Sequence, residues 1–388
     1  MKKTKKPNIL IISHAASLNG AEKALLEFVD FLKREEFVCN VILPKMGPLR
    51  KRLSLMDVKC YTVPCGWWIK KKLNQKEETA QDIKNLNAVL KIKKIIEKTD
   101  SKVVITNSIV IPWGAFAALA AEKPHVWMIH EFGDQDHGFT FKIPYKKMLK
   151  IIDCLSDLVV VNSKAVKNYV VGVIDNKKII QAYYSIKIDT KSLNDKKLYF
   201  QNKNSLKVVL IGRIVPSKGQ KDAVLAIKEL VNKNLKVELL LVGKSKKKKI
   251  EYIKDIRQII RENNLSKNIK IHGFVDNPFS ILKQADLALM CSPNEAFGRV
   301  TLEAMLLEKP VIGTNAGGTK ELIKNKYNGF LYQPGDYKDL ARKIEFFYLD
   351  KKELKRCGKN SLSLAKKIVN PKNTLEKIYK NILKLNKK

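Results

Sequence analysis

Short apolar runs alternate with amphipathic helical runs along this whole chain, in two series separated by a polar interruption. That alternation is the pattern of β-α-β units, in which each strand is buried on both faces of a parallel sheet. The first series has strand candidates at 8–13, 39–43, 60–63, 103–106, 126–130 and 157–162. The second has them at 207–212, 236–243, 268–273, 286–291, 310–314 and 328–331. Between strands, Leu25, Phe28, Val29 and Leu32 recur at helical spacing and give one helix an apolar face. The stretch 186–204 is polar and lysine-rich, without apolar periodicity over most of its length, and reads as an interdomain linker. The expected class is therefore α/β, with two Rossmann-like doubly wound domains. The N-terminal domain spans 1–190, a linker 191–204, a second domain 205–370 and a closing helix 371–388. Leu375, Ile378, Tyr379, Ile382 and Leu383 share one face of that helix, which needs an apolar partner.

Composition narrows the function classes. The net charge of +37 invites a nucleic-acid reading, yet only nine of the 75 basic residues are arginine. Dedicated readers of phosphate and bases lean on arginine, with aromatic platforms for stacking. Here the lysines are spread over the whole length. No nucleic-acid partner is expected, and a basic nucleic-acid-binding protein remains the alternative from another class. An anionic membrane surface would also attract such a chain. The cysteines at 39, 60, 65, 154, 291 and 357 lack zinc spacing and form no disulfide framework, which fits a reducing, cytoplasmic setting. The basic start Met-Lys-Lys-Thr-Lys-Lys is followed by an apolar stretch, 9–12, too short for a secretory core. The longest apolar run, 109–121, carries Pro112 and Gly114 and is too short to span a bilayer.

In open parallel sheets the chemistry sits at the carboxyl ends of strands, and several polar motifs fall there. Ser292-Pro-Asn-Glu-Ala-Phe-Gly-Arg-Val-Thr-Leu-Glu303 follows the run at 286–291, so Glu295 precedes a helix and Glu303 lies inside it. Two carboxylates at a helix start suit a ligand that is both polyol and phosphate, since carboxylates accept from hydroxyls and the helix end attracts anions. Solvated surface glutamates are the plainer reading. Gly212-Arg213 and Lys218-Gly219 sit on the turn after 207–212, two cations suited to a diphosphate or simply solvated. Gly20, after the first strand, permits a close phosphate approach or merely a tight turn. His130, followed by Glu131, ends the 126–130 run and is either a site residue or a structural histidine; His14 is a second candidate. The paired Gly317-Gly318 leads into a helix and completes the rim.

Four elements in order, Gly-Arg213 with Lys218-Gly, His272-Gly-Phe, Glu295 with Glu303, and Gly317-Gly318 with Glu321, resemble the family 4 glycosyltransferases. The resemblance is densest from 206 to 331 and covers most of the chain. Asn19-Gly20-Ala-Glu looks like that family's Gly-Gly-Ala-Glu turn with Asn19 replacing the first glycine. The resemblance implies the GT-B architecture, two Rossmann-like domains facing across a cleft, with the C-terminal helix crossing back to the first domain. It implies a retaining transferase that needs no catalytic metal and no cofactor, only a nucleotide-sugar co-substrate, with UDP as the nucleotide. Arg213 and Lys218 would bind the donor diphosphate, Glu303 the ribose and Glu295 the transferred sugar. Backbone amides at Phe297 and Gly298 would support sugar and phosphate. Phe274 and Val275 would lie near the base, and His130 near the donor sugar and acceptor. Gly212 and Gly20 complete the implied donor contacts. The expected chemistry is front-face transfer, in which the leaving phosphate oxygen takes the acceptor proton. An epimerase on the same scaffold is the alternative within enzymes.

The acceptor is less legible. Cys65-Gly-Trp67-Trp68-Ile-Lys-Lys-Lys72 reads either as a membrane-interface element or as a buried aromatic pair beside a solvated lysine run. The first reading implies a peripheral position on the inner membrane face and a lipid-linked acceptor, as in surface polysaccharide assembly; a carbohydrate acceptor is the other expectation.

Overall fold

The computed structural model describes residues 8–70, 73–188, 193, 197–245, 250–370 and 374–385. The basic start of the chain, Lys71 and Lys72, much of the expected linker (191–192 and 194–196) and the lysine tract 246–249 lie outside the described residues. The chain divides into two compact units, Met1–Ser185 with Val369–Lys388, and Ile186–Ile368.

The first unit holds β1 (Asn8–Ser13), β2 (Val38–Leu43), β3 (Lys59–Thr62), β4 (Ser101–Asn107), β5 (His125–Ile129), β6 (Leu158–Val161) and β7 (Ile179–Gln181). Their spatial order is β3-β2-β1-β4-β5-β6-β7, and every neighbouring pair is parallel. The edge strand β7, only three residues long, carries too little periodicity to be anticipated. The second unit holds β8 (Leu206–Ile211), β9 (Val237–Val242), β10 (Ile269–His272), β11 (Leu287–Met290), β12 (Val311–Thr314) and β13 (Gly329–Tyr332), in the order β10-β9-β8-β11-β12-β13, again all parallel.

Each sheet has one point where the chain, having built outward on one side, returns to build on the other. These points are β1/β4 and β8/β11. Loops leaving two such strands diverge to opposite faces and open a crevice between them. That topology, more than any single residue, fixes where a site can form.

The helix Gly20–Arg34 buries Leu25, Phe28, Val29 and Leu32 against the first sheet. The C-terminal helix Leu375–Leu385 crosses back to the same unit. Its Leu375, Ile378, Ile382 and Leu385 join that core, and Tyr379 packs edge-on against Phe31 and Phe37 at 6.1 and 5.7 Å. Chain within the expected linker packs on the second unit: Tyr199 and Phe200 are buried, and the amides of Gln201 and Asn202 donate to the Glu238 carboxylate. Among the described residues no helix is long and apolar enough to cross a membrane.

Candidate functional site

In the second unit the loops after β8 and β11 meet directly. Lys218 Nζ donates to Glu295 Oε2 at 2.6 Å, and Ser292 Oγ donates to the same oxygen at 2.9 Å. The lysine side chain is 21% exposed and the glutamate 16%, so the pair sits at the surface of the crevice rather than beneath it. Glycines set this closeness. Gly219 has φ +62°, and a Cβ there would lie 1.9 Å from the Cys291 carbonyl oxygen. The backbone of the β8 loop therefore lies flush on the residue before Ser292. From the other side, Cβ atoms at Gly317 and Gly318 would stand 2.3 Å and 2.4 Å from the carbonyl oxygens of Glu295 and Ala296. Gly318 N–H also donates to the Glu295 carbonyl at 2.6 Å. The paired glycines thus serve backbone-on-backbone packing that clamps the Glu295 turn.

Gly298 then starts the helix Arg299–Leu306 with no side-chain cap. Glu303 is buried on its first turns and accepts from Arg299 Nε at 2.9 Å. Phe297 is 1% exposed, so its ring is core and only its backbone faces the crevice region. Arg213 is half-buried, and its carbonyl accepts from Gln220 Nε2 at 2.8 Å, which holds the turn that carries it. Gly212 sits against the Lys218 stem, 3.6 Å from a Cβ built on it. Phe274, beyond the end of β10, is 57% exposed, with Val275 half-buried beside it. Lys218, Glu295 and Gly298 are thus gathered around one carboxyl edge, with Arg213, Glu303 and Phe274 on elements leaving that same edge.

The first unit carries a different kind of site. At the carboxyl ends of β1, β4, β5 and β6 lie His14, Asn107, His130 and Asn162. His130 follows β5 rather than ending it and is buried. Its Nε2 lies 2.7 Å from Asn107 Oδ1, and its Nδ1 lies 2.9 Å from the Tyr184 hydroxyl. An amide oxygen only accepts, so Nε2 carries the proton. Asn162 Nδ2 donates both to the His130 carbonyl at 2.8 Å and to the Tyr184 oxygen at 2.9 Å. The tyrosine proton is then directed into Nδ1. Burial, and after it the neighbouring His14, push the His130 pKa down to about 3. His14 is lowered by its own burial, against the pull of Glu22, whose Oε1 is 3.4 Å from its Nε2. Glu131 is pushed up to about 7, mainly by burial, although Ser108 Oγ and the Ile109 amide both donate to it. A cavity of about 20 Å³ adjoins His130, Asn162 and Tyr184.

Asn19, standing where a glycine was anticipated, precedes the first helix, and its own N–H donates to Glu22 Oε2 at 2.8 Å. The amide next to Gly20 is therefore occupied from within the chain. A Cβ at Gly20 would meet nothing within 4 Å. Of the two readings of the paired tryptophans, burial holds for Trp68 and partly for Trp67. Trp68 is 6% exposed, stacks on Trp127 at 5.8 Å and donates to the Ile109 carbonyl at 2.7 Å. Trp67 is half-buried between His14 and Phe139 and donates to the His14 carbonyl at 3.2 Å. Trp68 therefore has no ring to offer a bilayer, and Trp67 keeps only part of its surface.

Asn107, Asn162, Tyr184, Glu22 and Ser292 were not singled out from the sequence. One signal was available: Asn107, His130 and Asn162 are each a polar residue closing an apolar strand-like run. Among the described residues no group of three or more His, Cys, Asp or Glu could hold a metal ion.

Comparison with known proteins gives the family. Residues 192–363 match the model described as "Glycosyl transferases group 1", and residues 18–185 match "Glycosyltransferase Family 4". The chain is 25% identical to the Escherichia coli UDP-Gal:alpha-D-GlcNAc-diphosphoundecaprenol alpha-1,3-galactosyltransferase over 94% of this chain and 92% of that protein. It is 26% identical to the Staphylococcus aureus capsular polysaccharide biosynthesis glycosyltransferase CapM, over 64% of this chain and 67% of the relative. Among solved structures, Anabaena Alr3699/HepE in complex with UDP and glucose superposes with a TM-score of 0.81 at 22% identity, covering 97% of this chain and 99% of that one. With family models matching 18–185 and 192–363, the chain belongs to the family 4, group 1 glycosyltransferases and has their GT-B fold of two Rossmann-like units.

Proposed function

We propose that this glycosyltransferase moves a sugar from a UDP-sugar to a hydroxyl of a glycan or lipid-linked acceptor in polysaccharide or glycolipid assembly, with retention at the anomeric carbon and without a catalytic metal. The observation that carries the donor side is the Lys218–Glu295 pair, a cation and a carboxylate 2.6 Å apart on the two loops that leave the sheet's switch point. A diphosphate needs the first group and a sugar hydroxyl the second. The exposed Phe274 ring offers a flat apolar surface to a base. UDP is supported by the relatives: the E. coli enzyme is named for UDP-Gal, and HepE was solved with UDP. The same E. coli relative, named for a diphosphoundecaprenol acceptor, supports a lipid-linked one.

In the proposed reaction the bond between the anomeric carbon and the leaving phosphate oxygen breaks while the acceptor oxygen bonds on the same face. The acceptor proton passes to the leaving phosphate oxygen, so no protein base takes it. Arg213 and Lys218 stabilise the charge that grows on the departing diphosphate, a contribution of preorganised cations that is large in a site shielded from water. Glu295 and Glu303 hold sugar and ribose hydroxyls. His130, neutral and with both ring nitrogens held by Asn107 and Tyr184, acts by positioning those two polar side chains toward sugar or acceptor.

A thermal-shift panel of UDP-, GDP- and ADP-sugars tests the donor, because a ligand at about 100 times its Kd adds close to 3 kcal/mol of stability. A UDP-sugar is expected to raise the melting temperature and the others not. Product analysis with acceptor-bearing membranes then separates transfer from epimerisation, which would release free sugar without any acceptor. No shift with any nucleotide sugar refutes the reading.

A further inference from the structure

The helix Gln75–Lys98 is the longest in the described chain. Its inward face is well accounted for: Asn85, Ala88, Ile92 and Ile96 are buried. Its outward face is not. Ile83, Leu86 and Leu90 are 54%, 65% and 59% exposed. At 100° per residue they fall within one narrow stripe. Large aliphatic side chains scattered singly over a surface need no explanation, but three aligned on one helix do. Lys84, Lys91, Lys94 and Lys98 run along one border of the stripe, all exposed, and Lys93 lies near the other. The acidic residues are engaged elsewhere. Glu78 and Asp82 pair with Lys142 at 3.2 and 2.9 Å, Glu97 pairs with Lys93 at 3.7 Å, and Glu77 caps the helix start through the Asn74 amide at 3.0 Å. Ile83 also separates two open depressions of about 780 and 270 Å³, the second bordered by Lys84 and Lys91.

An apolar stripe bordered by lysines is the signature of a helix that lies in the plane of an anionic bilayer, with aliphatic side chains among the acyl chains and ammonium groups at the phosphates. We propose that Gln75–Lys98 is the membrane-docking surface of this protein and that its partner is an anionic lipid surface. Charge decides between occupants: an apolar protein partner needs the stripe alone, whereas the exposed Lys84, Lys91, Lys94 and Lys98 beside it match phosphate headgroups.

Vesicle flotation tests it. Full-length protein is mixed with vesicles of phosphatidylcholine alone or with one-third phosphatidylglycerol, alongside Ile83→Ser/Leu86→Ser/Leu90→Ser and Lys84→Gln/Lys91→Gln/Lys94→Gln. All six positions are exposed, so both variants should keep the wild-type melting temperature and nucleotide-sugar shift; that control separates this test from the donor assignment. Wild type should float with anionic vesicles and remain behind with neutral ones. The apolar variant should partition at least about tenfold less, and the lysine variant roughly fivefold less per lysine removed. Equal flotation of wild type and both variants overturns the proposal. So does a result in which wild type ignores vesicles but self-associates through these residues, since the stripe would then be a contact between copies of the chain.

Discussion

If Lys218 grips the donor diphosphate, Glu295 must be a burden on nucleotide binding and an asset in transfer. The carboxylate oxygen lies 2.6 Å from the ammonium nitrogen. An ammonium has three N–H donors and can hold a phosphate oxygen on another of them, which leaves carboxylate and phosphate about 4.5 Å apart at ordinary hydrogen-bond lengths. Both side chains of the pair are about four-fifths buried, so an effective dielectric between those of protein and water applies. Repulsion between two unit charges at that separation then comes to about 1–2 kcal/mol. Glu295→Gln removes the charge and keeps the shape. The variant should bind UDP roughly 5- to 30-fold more tightly while its kcat/KM with the UDP-sugar falls about 10- to 100-fold, the loss of a hydrogen bond from a charged acceptor. Isothermal titration with UDP at 0.15 M salt is the assay; the separation is shorter than the ~8 Å screening length, so the gain survives. UDP binding by the folded variant that is equal to or weaker than wild type refutes the shared-lysine arrangement.

Three further outcomes are expected. Arg213→Ala should lower turnover about 100-fold or more if the guanidinium stabilises the departing diphosphate, and steady-state rates at saturating donor would expose an unchanged kcat. Gly219→Ala forces a methyl into the Cys291 carbonyl and a side chain into the left-handed region, so the melting temperature should fall by the equivalent of ~2 kcal/mol or more and the UDP-induced shift should vanish; an unaltered melt would contradict the clamp. Glu131, whose folded pKa of about 7 stands above its ordinary 4.5, holds its proton more tightly in the folded chain than unfolded. Its contribution is full below about pH 4.5 and is lost as pH rises toward 7. That loss is worth about 3 kcal/mol, so Glu131→Gln should gain stability over wild type at pH 8 and not at pH 4.5; identical pH profiles would refute it.

The strands were legible because parallel sheets bury both faces, and runs such as Val208-Val-Leu-Ile211 leave no other reading. The switch points followed from strand order, which periodicity does not contain; only the position of glycines and charges after β8 and β11 hinted at it. Lys218 and Glu295 were visible as candidates, since each follows an apolar run, but their contact was not, because it depends on Gly219 and the Gly317-Gly318 pair pressing three loops together. The tryptophan pair misled for a related reason. Aromatics beside lysines look interfacial in one dimension, whereas Trp127 and Ile109, which bury Trp68, come from β5 and the loop after β4. The stripe of Ile83, Leu86 and Leu90 was not read from the sequence at all; it stands out only once Asn85, Ala88, Ile92 and Ile96 are seen to form the inward face.

The two units raise sites on the same sheet edge but leave them in opposite electrical states, and burial is the cause. Around His130 burial drives three titratable groups toward neutrality: His14 and His130 lose affinity for protons, and Glu131 gains it. The hydrogen bonds there run between amides, a phenol and an imidazole. Such a surface suits hydroxyl groups through direction rather than charge. In the second unit Lys218 pairs with Glu295 and Arg299 with Glu303, at 2.6 and 2.9 Å. A diphosphate suits the second environment better than the first. If the first unit takes the acceptor hydroxyl, as proposed, the two units meet donor and acceptor with differently buried polar side chains. Introducing a cation at the first site, as Asn162→Lys, should therefore depress acceptor use while leaving UDP affinity within about twofold; a large change in UDP affinity would break that division of labour.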